Sequence, residues 1–107
     1  MKTDRELLEL AAKAAGIGWN ADSGYRTTGY GATGVPLVEQ WNPLTDDGDA
    51  LRLAVKLQID IKQYGEHVVA WFDGGYTGTG RISYDNDPCA ATRRAIVRAA
   101  AAIGETE

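Results

Sequence analysis

The chain has 107 residues, 13 of them glycine, and carries 11 basic against 15 acidic side chains for a net charge of −4. That length fits one domain able to bury a core. The charge excludes generic attachment to phosphate backbones, which needs a basic surface that releases counterions, and the lone Cys89 excludes an internal disulfide framework.

The segment Thr3-Asp4-Arg5-Glu6 reads as a capping box, with Thr3 as N-cap and Glu6 reaching back. Leu7, Leu8, Ala11, Ala14 and Ala15 follow at helical spacing, and Gly16 supplies a left-handed stop. A helix-forming start with acids is not a secretory signal. The longest apolar run, around Ala99–Ile103, is far too short to cross a bilayer. With one cysteine, this points to a soluble, cytoplasmic protein.

Residues 18–34 (GWNADSGYRTTGYGATG) lose all apolar periodicity and read as an irregular Gly/Tyr-rich loop with room for a short ribbon. Residues 35–41 form a short extended segment that Pro43 ends. Thr45 then serves as N-cap of a second helix, with Asp46, Asp47 and Asp49 complementing its dipole. Its buried face is expected to comprise Leu51, Ala54 and Val55, widened by Leu53 and Leu57.

Three strands follow. In LQIDIKQY (57–64), Leu57, Ile59 and Ile61 alternate with polar residues, the pattern of a strand buried on one face. HVVAWF (67–72) is apolar on both faces and so belongs at the sheet centre. GRISY (80–84) is a shorter third strand. Asp87-Pro88 opens the last helix as acidic N-cap and proline at N1. Its inner face is expected to hold Cys89, Thr92 or Arg93, Ile96, Ala100 and Ile103, with Gly104 ending it. At 1.5 Å per residue it spans roughly 24 Å. The predicted class is α+β: an antiparallel sheet of three to four strands with helices packed on it, in a single domain over residues 1–107.

The stretch WNPLTDDGDALRLAVKL (41–57), followed by strands and then DPCAATRRAIVRAAAAIG (87–104), resembles the phage ABA sandwich domain family of small phage and prophage proteins. The resemblance runs from about Trp41 to Gly104, with a looser match in the first helix. It implies a sheet held between helices (an α-β-α sandwich) and a phage or prophage origin. It brings no activity and no site residues.

Candidate sites are sparse. Asp46, Asp47 and Asp49 lack the loop length and terminal glutamate of a hard-cation site, and helix-start electrostatics account for them. Asp85, Asn86 and Asp87 read as a turn and a cap. His67, the single histidine, has no partner for a zinc site or a serine triad. Cys89 reads as an inert buried thiol. No metal or cofactor is expected.

Arg94 and Arg98, one turn apart, form a basic flank able to meet phosphate or carboxylate, or simply a solvated face. Tyr25, Thr27, Thr28 and Tyr30 in the first glycine-rich segment, with Tyr76 and Thr77 in a second one at 73–80, offer hydroxyls and rings for a ligand or partner. If both segments lie on one edge of the sheet, they make a joint surface. Neither matches a P-loop or dinucleotide fingerprint.

The expected function is therefore binding rather than catalysis. The leading reading is a phage accessory protein in counter-defence, such as an anti-CRISPR-like inhibitor of a host protein or a sponge for a nucleotide-like signal. Alternatives are a nucleotide-acting hydrolase or transferase using Asp73 or Asp85 as base, and a structural phage protein that forms homo-oligomers. No direct nucleic-acid or membrane contact is expected.

Overall fold

The computed structural model describes residues 2–106. Helix α1 (Asp4–Ala15) is bounded as its sequence dictates. Thr3 accepts from the Glu6 amide, Glu6 answers through its carboxylate, and Gly16 closes the helix at φ 69°. Leu7, Leu8, Ala11, Ala12 and Ala15 form its buried stripe.

The glycine-rich segment departs from the predicted loop. β1 (Trp19–Asn20), β2 (Tyr25–Tyr30) and β3 (Pro36–Gln40) form an antiparallel sheet of their own, in the order β1-β2-β3. Glycines at turns rather than within long strands allow this. Gly24 and Gly34 take left-handed φ of 78° and 82°, and a bulge between Thr27 and Gly29 shifts the β2–β3 register.

Helix α2 (Asp47–Leu57) is capped by Asp46, not Thr45: the Asp46 carboxylate accepts from the Asp49 amide at 2.8 Å. Its buried face is also rotated from the expected one. Asp49, Ala50, Leu53 and Ala54 point inward, while Leu51 and Val55 are 62% and 70% exposed. Asp49 turns the face. Its buried carboxylate accepts from the Asn42 amide at 3.0 Å, a bond that holds this side of the helix against the 41–45 turn, and from Arg52 of the same helix at 2.8 Å. The Asp49 bond keeps the Arg52 guanidinium above its ordinary pKa.

Leu57 closes α2 rather than opening a strand. Gln58 follows in the left-handed conformation (φ 55°), its amide bonding back to Ala54 and Val55. β4 (Asp60–Gln63), β5 (His67–Phe72), β6 (Thr77–Gly78) and β7 (Ile82–Ser83) make a second antiparallel sheet. β5 lies at its centre, pairing with β4 on one side and with β6 and β7 on the other. That is the place its two-sided apolarity predicts. The 73–80 segment is a 3-10 turn at Asp73–Gly75 followed by β6.

Helix α3 (Pro88–Thr106) is the hub, packing on α1, α2 and β5. Asp87 caps it, accepting from the Ala90 amide at 3.0 Å. Its inner face is Ala91, Ala95, Ile96, Val97, Ala99, Ala100 and Ala101. Cys89 is exposed and not buried as expected. Gly104 does not end the helix: it is buried two residues before the end, against the α1 backbone. Arg93 ties α3 to α2, its Nε donating to the Leu44 carbonyl at 2.8 Å and its Nη1 to Asp47 at 2.7 Å.

The core joins α1, α2, α3 and the Val68, Ala70, Phe72 face of β5 around Trp41, which is 2% exposed. The fold is α+β and antiparallel, with two sheets where the sequence suggests one.

A projecting sheet as the candidate docking surface

The first sheet stands apart from this core. The molecule is 51 Å long against 29 and 25 Å across, and the extensive packing of β1–β3 is confined to the three strands themselves. The sheet is rooted at its base. Trp19 stands edge-on to buried Trp41, ring centroids 5.8 Å apart at 67°, and the Trp41 amide donates to the Gly24 carbonyl at 3.0 Å. Arg5 of α1 reaches Asp22 in the β1–β2 turn at 3.0 Å. Its bonds to Glu9 first and Asp22 second raise the Arg5 pKa. The buried Trp19 indole N–H has no hydrogen-bond partner among the described residues.

Away from the root the sheet is apolar and bare. Tyr30 is 71% exposed, Val35 60%, Val38 56%, Leu37 52% and Tyr25 40%. The register sets Thr27 opposite Val38, Gly29 opposite Leu37 and Tyr30 opposite Pro36. Because side chains alternate along a strand, Leu37 points to one face and Val38 to the other. Both faces thus present hydrophobic groups to water. Within residues 18–41 the charged side chains are Asp22, Arg26 and Glu39. Asp22 is held by Arg5, and Arg26 binds Glu39 from Nε at 2.9 Å. The arm's own charge is thus −1, and each of its two carboxylates is paired with an arginine.

Of the site residues expected from sequence, Tyr25, Thr27, Thr28 and Tyr30 all lie on β2. Thr28 is at the bulge and its hydroxyl donates to the Leu37 carbonyl at 3.2 Å. Tyr76 and Thr77 sit on the second sheet's margin, so the two glycine-rich segments do not share one sheet edge. Arg94 and Arg98 lie elsewhere again. Arg94 is paired with Asp4 at 3.0 Å, while Arg98 has no ion-pair or hydrogen-bond partner among the described residues. Together with Arg81 they border an open cleft of about 440 Å³ between β7 and α3, which also holds Asp85. No sequence motif singles out Pro36, Leu37 and Val38 of β3. The only signal was an apolar run with no charge beside a glycine-rich turn, and that pattern equally marks a buried strand.

Other polar residues have structural roles. Asp46 and Asp87 cap helices, and Asp85 accepts from Ser83 at 3.1 Å. His67 stacks on Tyr64 with centroids 4.5 Å apart. Among the described residues no group of His, Cys, Asp and Glu could hold a metal ion, and no helix is long and apolar enough to cross a membrane. Comparison with family models, curated proteins and solved structures returned no match.

Proposed function

We propose that this chain acts by binding another macromolecule through the projecting sheet. The observation that carries the reading is the pair of bare apolar faces around Leu37 and Val38, on an element whose carboxylates are both ion-paired and which is rooted at one end. Contiguous exposed apolar surface of this kind marks interaction sites in soluble domains, and aromatic side chains that become buried on binding, the role open to exposed Tyr30, dominate the energetics of such contacts. A host protein is the occupant under the phage accessory reading, and inhibition of a counter-phage system is the role that fits a small binding domain.

The test compares capture of host proteins by the unaltered chain and by a variant with Tyr30, Leu37 and Val38 all changed to Thr. Threonine keeps β propensity and removes apolar surface. One protein recovered by the first and lost with the second is the expected result. Equal recovery by both would overturn the assignment of the arm as the docking surface.

A second reading is favoured by the cleft between β7 and α3, where Arg81, Arg94 and Arg98 border Asp85. Arginine forks suit phosphate oxygens, so a nucleotide-like ligand fits that cleft, with Asp85 the group available as a base. Titration with nucleoside phosphates, lost on Arg98→Ala, would favour this reading, and absence of binding heat would remove it.

A further inference from the structure

We propose that the free edge of β3 pairs with β3 of a second copy of this chain, joining two arms into one continuous six-stranded sheet. The inference rests on the arm being a recognition element and adds the occupant of its edge, leaving both faces open for another partner.

The edge is defined by hydrogen bonds already made. The Trp41 amide and the Val35 carbonyl both point inward, to Gly24 and Gly31, and the Leu37 carbonyl accepts from Thr28 on the same side. Alternation along the strand therefore aims the backbone groups of Pro36, Val38 and Gln40 outward. Among the described residues β3 has no strand neighbour on that side, and all five of its residues are exposed. Pro36 fits this assignment, since a proline within a sheet belongs where no ladder bond needs its missing N–H.

Those outward groups are self-complementary about a two-fold axis through Val38. With the copies antiparallel, the N–H of each Val38 donates to the carbonyl of the other. The N–H of each Gln40 then falls opposite the Pro36 carbonyl of the other copy. Every outward donor of β3 finds an acceptor, and the N–H that proline lacks is missing only at the outer ends, open to water. On one face the two Val38 side chains lie side by side, and on the other the Leu37 side chains approach diagonally.

Charge permits the approach. The whole chain carries −4, which opposes association of copies. The arm's two carboxylates, however, are already answered by Arg5 and Arg26, so the repulsion sits on the body, away from the contact.

Sedimentation velocity over a wide concentration range reads the outcome, with two variants of the full chain. Val38→Pro removes an outward N–H along with the valine side chain and breaks no backbone bond inside the arm, and Val38→Lys keeps that N–H but sets two like charges against each other across the axis. A monomer–dimer equilibrium is expected, with both variants weakening it by about tenfold or more. Hydrogen exchange should show the Val38 and Gln40 amides protected in proportion to dimer, and the Trp41 amide protected in every variant because its bond lies inside the arm. A chain that stays monomeric throughout overturns the proposal. So does a dimer indifferent to both variants. A third variant, Gln40→Pro, removes an outward N–H at a position outside the docking faces and should weaken the dimer with host-protein capture intact, and a monomer whose capture still depends on Leu37 overturns the second copy while sparing the docking reading.

Discussion

Gly104 on α3 lies against the main chain of Leu10 on α1, so close that a Cβ at position 104 would stand 2.1 Å from the Leu10 carbonyl oxygen and 2.9 Å from its carbon. The obstacle is backbone, so no rotamer relieves it and the helices would have to separate. Gly104→Ala should therefore destabilise the domain by about 2–3 kcal/mol, the upper part of the overpacking range, even though alanine is the better helix former. Urea unfolding measures this. A midpoint equal to or above that of the parent would mean the helices do not meet there.

Arg93 supplies a second check on the body. Its guanidinium, mostly buried, satisfies the Leu44 carbonyl and pairs with Asp47. Arg93→Met keeps the apolar stem and leaves that carbonyl without its donor, at an expected cost of about 1–3 kcal/mol. Asp47→Asn removes only the exposed half of the arrangement, and its cost should stay below about 1 kcal/mol. Equal losses for the two variants would contradict the division of labour between them.

Gln58 offers a change in the opposite direction. It caps α2 at φ 55°, a conformation that costs a side chain about 1–2 kcal/mol. Gln58→Gly should recover part of that cost, less the greater chain entropy of glycine, for a net gain of up to about 1 kcal/mol. A loss of stability on thermal or urea unfolding would contradict the assigned cap.

Helices α1 and α3 were legible because their caps are local chemistry: Thr3 with Glu6, and Asp87 with Pro88. β5 was legible because HVVAWF is apolar on alternate and intervening positions alike. The end of α2 was not, since a glutamine in the left-handed region carries no sequence signal and LQIDIKQY alternates like a strand from Leu57 onward. Its buried face is hidden from apolar patterning because a carboxylate, Asp49, takes an inward position that such patterning assigns to Leu51 or Val55. The arm escaped for a related reason. Its strands are held by backbone pairing and turn glycines instead of by burial, so no periodicity records them. Whether an apolar run such as VPLV faces a core or faces water is decided by packing elsewhere in the chain.

The central claim is that the apolar side chains of the arm are held out for a partner and not used in folding. The most direct measurement is the unfolding free energy of the chain with Tyr30, Leu37 and Val38 all changed to Thr, taken by urea denaturation at low protein concentration. The expected result is a change within about 1 kcal/mol of the parent, as exposed sites give. A loss of several kcal/mol, the signature of emptied core positions, would contradict the account.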